Sequence, residues 1–580
     1  MTIRPASLPF KRWQVAPTIP PTLRQHLSNI PPVLAQILFN RGLTDKAHIQ
    51  AFLEGRYLES DDPFRLKDMD KAVARIEQAI QREESIVVYG DFDADGVTST
   101  VLLVEALRGL GLSRTQVQPY IPDRVDEGYG LNKEALTTLK QKGVGLVISV
   151  DCGIRSVAEV VHANQMGLDM IVTDHHSLGT ELPPAVAVIN PKRPDSEYAE
   201  TMLAGVGIAF KLAQALRLAM PNRAMYADHD LLDLVAIGTV ADLAPLLGEN
   251  RRLVIQGLEV LNHSKRMGVQ ALVHICGYQM GQLSAESIGF GLGPRINAAG
   301  RLAHAYTAAK LLSTGDPKQA GQLADELNEL NRQRQTLTAR LSERAEHLVE
   351  PGAPLLFAAA TDFVSGVVGL VASRLAEQYY RPAIIVEQGE EESRGSCRSI
   401  PELHITELLD ECADLLVRYG GHAQAAGLTV RNENMPALQE RLITRTQQKL
   451  DGLELIPSLS IDMELDLDEV DYALYGHLQG LEPTGYANAT PIFLSRNVMV
   501  QSHRAVGTDQ AHLQMALGTS GRNVIGCIAF RQGAWAGRLP ECIDVVYTIG
   551  VNEFRGQRKL QLQVQDIRPA QARENLTEKR

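Results

Sequence analysis

Between residues 85 and 191, short apolar runs alternate with segments whose apolar residues recur at helical spacing. Short apolar runs of the kind that form buried strands occupy 85–90, 145–150, 168–173 and 185–190. The segments between them carry apolar residues at helical spacing and predict helices over 97–110, 132–142 and 154–166. This alternation predicts an α/β domain with a parallel, doubly wound sheet, which binds its ligands beyond the carboxyl ends of its strands.

Leucines recur at seven-residue spacing from 316 to 347, among charged and amide residues. The pattern predicts one long helix. At ~1.5 Å per residue it could span roughly 50 Å and hold two domains apart across a cleft. A surface helix on a single domain is the alternative.

A second α/β unit is predicted after this helix. Strands are expected near 354–360 and 382–386, helices near 367–380 and 404–419, and a glycine-flanked turn, GGHAQAAG, at 420–427. Beyond residue 500, short alternating runs with turns and an excess of Lys and Arg indicate a small β-barrel. The predicted limits are 1–60 for an N-terminal extension, 61–315 for the first domain, 316–350 for the connecting helix, 351–450 for the second domain and 456–570 for the barrel.

The composition of the 580 residues, with 44% hydrophobic and 22% charged residues, is that of an ordinary globular protein. No stretch is apolar enough for a membrane span or a signal peptide, so a cytoplasmic protein is expected. The six cysteines lack a CxxC pair, so any metal should use oxygen and imidazole ligands. A formal charge of −12 argues against coating nucleic acid by bulk charge but allows a local basic groove.

Acidic and imidazole groups follow several of the predicted strands. The first strand runs into DFDADG, a later one ends in VDCG, the next ends in TDHH, and the helix-like segment LLDLVAIGTVADLAPL carries Asp242 at its end, just before Pro245 stops it. Helix capping and local packing could explain any single one of these residues, but such groups recur at the same end of three strands. The set predicts a site for two hard divalent ions, Mn²⁺ or Mg²⁺, with zinc less favoured.

The order of these motifs resembles the DHH phosphoesterase superfamily. The match continues through YGDFDADGVTST, IPDRVDEGYGL, GFGLGPRINAAGR and GGHAQAAG over nearly the whole chain, and it is closest to the bacterial single-strand-specific 5′-to-3′ DNA exonucleases. The resemblance implies two ions held by Asp93, Asp95, Asp151, His175 and Asp242, with Asp91 as an additional site carboxylate. We choose Asp151 as the bridging ligand. Two such ions would activate water and stabilise the attacking and leaving oxygens of a phosphodiester.

The resemblance also assigns roles around the substrate. It places His176 near the reacting phosphate, whereas alternation along a strand leaves its side uncertain; Asp174 should hydrogen-bond a ligating histidine or the backbone. The second α/β unit resembles the DHH-associated domain, in which Gly420, Gly421 and His422 would approach the substrate. Arg295, Asn297 and Arg301 suit phosphate contact, and Arg124, Ser396 and Arg398 could form a pocket for a terminal 5′-phosphate. Tyr129 is either a stacking surface for a base or a structural tyrosine.

The expected function is therefore metal-dependent hydrolysis of single-stranded DNA from its 5′ end to mononucleotides, in recombination and repair. The barrel would be an OB-fold that tracks the strand, and the resemblance implies a single-strand-binding protein and a helicase as partners. One alternative is a phosphodiesterase of the same superfamily for oligoribonucleotides or cyclic dinucleotides. Another is a non-catalytic single-strand-binding replication factor, which the retained set of carboxylates argues against.

Overall fold

The structure is a computed structural model that describes residues 10–124, 127–519, 524–554 and 556–570. The chain forms two compact units. One unit consists of residues 55–453 with 485–487, and the other contains the described residues of 1–54, 454–484 and 488–580. Within the described ranges, no helix has the length and apolar character needed to cross a membrane.

The first domain of the larger unit is built on a five-stranded sheet. Its strands, in spatial order, are Val117–Tyr120, Ser85–Tyr89, Val144–Val150, Asp169–Thr173 and Ala187–Ile189, and all neighbours are parallel. The helices that cover the sheet and follow it are Met69–Gln81, Ala94–Gly109, Lys133–Gln141, Val157–Gln165, Gly205–Ala219 and Leu232–Ala241. The predicted parallel α/β sheet is confirmed. The edge strand Val117–Tyr120 escaped prediction because it has four residues, including a proline, and leaves little pattern to detect.

A helical region completes this domain. Its helices are Gly248–Asn262, Met267–Ile275, Ala285–Ser287, Gly293–Leu302 and Tyr306–Ser313, with a π-helical turn at Ile288–Leu292.

The predicted long helix is present as Pro317–Glu346. Its N-cap is Asp316, whose carboxylate accepts a hydrogen bond of 2.9 Å from the backbone N–H of Lys318. Near its start, Leu323 and Leu327 are buried in the core of the first domain. Near its end, Leu341 is buried in the core of the second domain. One helix thus belongs to two cores and connects them.

The second domain has a mixed sheet of five strands. Their spatial order is Leu416–Gly421, Ala425–Arg431, Glu392–Arg398, Ala383–Glu387 and Leu356–Ala360, and only the last two are parallel. The helices are Ser365–Tyr379, Ile405–Asp410 and Met435–Leu450. The α/β class is confirmed, but the predicted helix over 404–419 is wrong beyond residue 410. Leu416–Gly421 instead forms a hairpin with Ala425–Arg431, whose backbone pairing outweighs the local helical pattern.

The smaller unit contains the predicted barrel. Its main strands are Phe493–Val506, His512–Gly518, Val524–Ala529, Cys542–Phe554 and Gln557–Pro569. The barrel closes because Phe493–Val506 pairs with both His512–Gly518 and Cys542–Phe554. The short strands Arg12–Val15, Ser458–Ile461 and Met463–Glu464 and the helices Pro21–His26, Pro32–Asn40, Lys46–Leu53 and Tyr472–Leu478 belong to the same unit. The OB-like barrel is confirmed, and the N-terminal helices share its core.

Candidate active site

The DFDADG motif forms a tight turn between the strand Ser85–Tyr89 and the helix Ala94–Gly109. Asp93 is the N-cap of this helix, and its Oδ1 accepts hydrogen bonds of 3.0 Å from the N–H groups of Asp95 and Gly96. A Cβ on Gly96 would lie 2.6 Å from Asp91, so only glycine fits there. The turn thereby keeps Asp91 and Asp95 buried at the carboxyl end of the sheet.

A second turn carries Asp151 after the strand Val144–Val150. Asp151 has a left-handed backbone with a φ of 60°, a conformation that aspartate tolerates better than most residues. A Cβ on Gly205 would lie 2.7 Å from Asp151, so this glycine lets the helix Gly205–Ala219 start against the site. The first N–H groups of that helix, from Gly205 and Val206, donate to Asp95 at 2.7 and 2.8 Å.

His175 joins the carboxylates of separate elements. Its Nε2 lies 3.1 Å from Asp151 Oδ1, and its Nδ1 lies 3.8 Å from Asp242 Oδ2, at the end of the helix Leu232–Ala241. Three groups of side chains have ligand atoms within 4.8 Å of one another: Asp91, Asp93 and Asp151; Asp95, His175 and Asp242; and Asp151, His175 and His176. We call Asp91, Asp93, Asp95, Asp151, His175 and Asp242 the acidic cluster. The structure thus brings all the predicted metal ligands together.

The acidic cluster carries more negative charge than its own residues can neutralise. Burial, followed by the charge of neighbouring aspartates, raises the pKa of Asp91 and Asp151 well above the usual range. The same causes raise the pKa of Asp95 to about 7 and that of Asp242 to about 9. Burial lowers the pKa of His175 to about 3, which keeps its imidazole neutral and able to bind a metal.

Unpartnered atoms show what the acidic cluster fits. Asp91 Oδ1, Asp151 Oδ1 and His175 Nε2 are buried and make no hydrogen bond within the described residues, although the last two atoms lie 3.1 Å apart. Buried polar atoms rarely stay without a partner, because each one costs about 1–3 kcal/mol. Carboxylates with one neutral imidazole form the donor set of hard divalent ions such as Mn²⁺ and Mg²⁺. The residues fit the predicted metal.

His176 is held by a different partner from its neighbour. Its Nδ1 lies 2.7 Å from Asp174 Oδ1, and Asp174 also accepts hydrogen bonds from the N–H groups of His176 and Ile154. Burial acts to lower the pKa of His176, but the hydrogen bond to Asp174 and the charges of Asp174, Asp91 and Asp93 together outweigh burial and raise the pKa. The Tyr129 hydroxyl lies 3.3 Å from His176 Nδ1, and the Tyr129 side chain is half exposed. Asp174 therefore fixes the orientation of His176.

His422 approaches this site from the second domain. It lies in the hairpin after Gly420 and Gly421, where its N–H donates to Ala425 O at 2.8 Å. A Cβ on Gly421 would lie 2.3 Å from Ala425 O, whereas Gly420 has open space around it. Burial, and then the charges of Arg155 and His176, lower the pKa of His422, so its imidazole lies within electrostatic reach of the first domain.

A group of arginines lies beside the acidic cluster. Burial and the charges of Arg124, Arg334 and Arg398 lower the pKa of Arg301 to about 10, while Asp93 acts to raise it. We call these four arginines the arginine cluster. Arg398 Nη1 donates to Ser396 Oγ at 3.2 Å, and the Arg124 guanidinium lies 4.0 Å from the centre of the Phe92 ring.

The arginine cluster is not neutralised by the part of the chain that the structure describes. None of its four members has an ion pair with a described Asp or Glu, and Arg124 Nε and Arg334 Nε are buried without hydrogen-bond partners. Sequence reasoning missed Arg334, because a polar residue on a long helix gives no sign of which face meets a site. Its neighbour Arg332 is exposed and paired with Glu329, so the sequence alone cannot separate the two.

Two predicted substrate contacts are engaged inside the protein. Arg295 donates to Asn328 Oδ1 and to Gly291 O, both at 3.0 Å, and so faces the long helix. Asn297 Oδ1 accepts a 2.7 Å hydrogen bond from the N–H of Ala94, between Asp93 and Asp95. The structure therefore brings Asn297 to the acidic cluster and gives Arg295 partners of its own, and DNA contact by either residue stays a prediction.

Three family models match the chain. Residues 85–239 match the DHH family N-terminal domain, residues 352–448 match the DHHA1 domain, and residues 461–566 match the RecJ OB domain. The fold and the acidic cluster thus define a protein of the DHH class.

Relatives define the family within this class. The single-stranded-DNA-specific exonuclease RecJ of Bacillus subtilis is 38% identical over 545 residues, which cover 93% of this chain and 68% of the relative. The crystal structure of RecJ with Mn²⁺ from Thermus thermophilus is 31% identical, with a TM-score of 0.83 over 97% of this chain and 80% of the other. The structure of RecJ with Mg²⁺ from the same organism is 30% identical, with a TM-score of 0.78 over 97% and 79%. The chain belongs to the RecJ family.

Proposed function

We propose that this chain is a metal-dependent exonuclease that hydrolyses single-stranded DNA from its 5′ end to mononucleotides by two-metal phosphodiester hydrolysis. The observation that carries this proposal is that the buried acidic cluster lies near the arginine cluster, whose members have no ion pair among the described residues, and that the charge of Asp93 acts on Arg301. Bound cations stabilise a group of buried carboxylates, and a bound anion stabilises buried arginines that have no acidic partners among the described residues. A phosphodiester bound with divalent ions satisfies both.

The acidic cluster would hold two ions, Mn²⁺ or Mg²⁺, through Asp93, Asp95, Asp151, His175 and Asp242, with Asp151 shared between them. Asp151 and His175 each belong to two of the three ligand groups, and of these two only the carboxylate of Asp151 has two oxygens to share between ions, which supports that choice. Two such ions supply an activated nucleophile and stabilise the attacking and leaving oxygens of the phosphodiester. Asp91 would complete the site as a further carboxylate, within reach of Asp93 and Asp151.

Two histidines would act on the reacting phosphate itself. The hydrogen bond that His176 donates to Asp174 keeps His176 oriented, and its raised pKa keeps it protonated to higher pH than a free imidazole, so it can donate a proton or hydrogen bond to a phosphate oxygen. His422 would donate from the opposite side, and Gly420 and Gly421 would let the backbone of the hairpin come close to the strand.

The arginine cluster, together with Ser396, would bind the terminal 5′-phosphate. A terminal phosphate carries more charge than an internal one and gains more from several cations that lack acidic partners. Such a pocket would set the polarity of digestion, because it accepts only a chain end. Tyr129 would stack on a base near this end, and Arg295 and Asn297 would contact the phosphates of the strand.

The remaining features of the proposal rest on resemblance. The barrel would bind the single-stranded backbone, and a single-strand-binding protein and a helicase would supply the substrate during repair and recombination. We place the protein in the cytoplasm, where a bacterial chromosome lies. The domain limits 61–315, 316–350, 351–450 and 456–570 stay proposals as well.

The test uses strands labelled at the 3′ end with either a phosphate or a hydroxyl at the 5′ end, each single-stranded or in a blunt duplex. We expect Mn²⁺-dependent digestion of the 5′-phosphorylated single strand, with the labelled fragment shortening from the 5′ end and with mononucleotide products. Attack from the 3′ end, or equal digestion of the duplex, would contradict the proposal. Hydrolysis confined to oligoribonucleotides or cyclic dinucleotides would support the alternative phosphodiesterase instead.

A further inference from the structure

A cavity lies in the first domain, at the far end of the helix that begins in the acidic cluster. Asp95 lies in the first turn of Ala94–Gly109 and Arg108 in the last, so about 20 Å of helix separates them. The cavity has a volume of about 650 Å³. Small-molecule sites typically measure about 300–1,000 Å³, so this one is large enough for a nucleotide.

Three cations line this cavity: Arg108, Arg114 and Lys310. None of them has an ion pair with an acid among the described residues. The two acids in the lining are engaged elsewhere, since Glu105 pairs with Arg266 at 2.6 Å and Asp316 caps the long helix through the N–H of Lys318. The cavity therefore has a local excess of positive charge in a chain whose total charge is negative.

Arg108 is the most constrained of the three cations. One of its nitrogens donates to Val117 O at 3.1 Å, but its Nε is buried and has no hydrogen-bond partner within the described residues. Burial, and then the charge of Arg114, lower the pKa of Arg108 below its usual value. A bound anion would relieve both costs.

The rest of the lining suits an organic anion better than a bare ion. Tyr306 lines the cavity and is about half exposed, and Gln319 and Thr314 also line it, with the Thr314 hydroxyl donating to Gln319 Oε1 at 2.6 Å. An aromatic ring beside a cationic pocket is the combination that holds a base and a phosphate together.

We propose that this cavity is a second binding site, separate from the active site, for a nucleoside 5′-monophosphate, with its phosphate on Arg108, Arg114 and Lys310 and its base on Tyr306. The choice of this ligand rests in part on the proposed function, because the exonuclease reaction releases mononucleotides in the same domain, at the other end of the helix Ala94–Gly109. The cavity and its charge do not depend on that function.

The test is hydrogen–deuterium exchange of the full-length chain, titrated with 2′-deoxyadenosine 5′-monophosphate. The readout is the exchange of the segment 306–319, which lines the cavity and reports on it whether or not nucleotide also binds in the active site. We expect slower exchange at saturation. Deoxyadenosine and inorganic phosphate, used as separate probes, should each need at least roughly tenfold higher concentration.

Matched variants identify the cations that bind. Lys310→Gln should raise the half-maximal concentration roughly tenfold, and Arg108→Gln at least as much. Lys310 is exposed, so its variant keeps the test valid if loss of the Arg108–Val117 hydrogen bond impairs folding. Lys318→Gln removes the same charge from an exposed position outside the lining and should change nothing.

Three results would overturn the inference: unchanged exchange of 306–319 at saturating nucleotide, equal protection by inorganic phosphate alone, or equal affinity in Lys310→Gln and Lys318→Gln. Nuclease activity is assayed separately, in the unaltered chain and in Lys310→Gln. If the unaltered chain has nuclease activity but the nucleotide does not slow the exchange of 306–319, this inference fails and the proposed function stands. Protection in a chain without nuclease activity supports the site and defeats the proposed function.

Discussion

The acidic cluster and the arginine cluster are opposite in charge but alike in construction. Each gathers like charges from distant parts of the chain and buries polar atoms that make no hydrogen bond within the described residues: Asp91 Oδ1 and Asp151 Oδ1 in one, Arg124 Nε and Arg334 Nε in the other. Burial raises the pKa of the acids and lowers that of Arg301. Each cluster is therefore incomplete without a ligand of opposite charge. Together they require cations on one side and a phosphate on the other.

Lys211 and Glu249 show how the same protein treats a buried charge that has no ligand to bind. Both side chains are fully buried, and Lys211 Nζ lies 2.6 Å from Glu249 Oε1. The Glu249 carboxylate also accepts a hydrogen bond from the Tyr198 hydroxyl and forms an ion pair with Arg252. Because the opposite charges of Lys211 and Glu249 neutralise each other inside the protein, we assign this pair a structural role. The contrast teaches that a buried charge indicates a ligand site when the chain leaves it unneutralised.

The largest effect is expected for Asp151→Asn in the acidic cluster. Asparagine tolerates the left-handed backbone of this position, so the fold should persist while the carboxylate that we propose as the shared metal ligand is lost. We expect kcat for 5′-phosphorylated single strands to fall roughly 10³-fold or more, with strand binding changed little. Release of 5′-mononucleotides and fluorescence anisotropy measure the two quantities.

Asp70→Asn, at an exposed position of the same domain, is the control for this variant. Normal activity of Asp151→Asn would show that hydrolysis does not need the acidic cluster. The acidic cluster could then no longer be compared with the arginine cluster as a ligand site.

The second prediction concerns the internally neutralised pair. Lys211→Met should lower the free energy of unfolding by about 3 kcal/mol, because it leaves Glu249 buried with one cation fewer. At a temperature where the variant is folded, kcat should stay within about twofold of the unaltered chain. Chemical denaturation and the nuclease assay provide the measurements. A large loss of activity with unchanged stability would show that this pair, too, serves a ligand.

Arg334→Gln tests the arginine cluster at the residue that the sequence did not indicate. Losing one charged hydrogen bond to the terminal phosphate should lower kcat/KM for 5′-phosphorylated strands roughly tenfold. The value for 5′-hydroxyl strands should change less than about twofold. Arg332→Gln, on the same helix but exposed and paired with Glu329, is the matched control. Equal losses of kcat/KM for 5′-phosphorylated and 5′-hydroxyl strands would show that Arg334 serves the packing of the helix and does not bind the terminal phosphate.

The sequence predicts which side chains converge where the direction of the strands alone decides it. In a parallel sheet, residues after successive strands meet at one edge, so the convergence of Asp91, Asp151 and His175 was predictable. Sequence reasoning failed where tertiary pairing decides. Residues 416–421 look helical and become a strand only through their hairpin partner. Arg334 is one of many polar residues on its helix, and only the packing of that helix onto the site separates it from Arg332.

The smallest effect is expected for Asn297→Ala, which decides to which cluster this residue belongs. The sequence predicts a substrate contact for Asn297, whereas the structure gives it the N–H of Ala94, between two residues of the acidic cluster. Losing that hydrogen bond costs about 1 kcal/mol and loosens the turn that positions Asp93 and Asp95.

The Mn²⁺ concentration for half-maximal activity of Asn297→Ala should therefore rise severalfold, while the preference for 5′-phosphorylated over 5′-hydroxyl strands stays unchanged. Titration of Mn²⁺ with both strands measures the two quantities on one variant. The opposite result, a lost preference with an unchanged Mn²⁺ requirement, would move Asn297 to the phosphate side. Asn297 and Arg301, which both lie on the helix Gly293–Leu302, would then serve the phosphate together, and the division between the two clusters would no longer run through this helix.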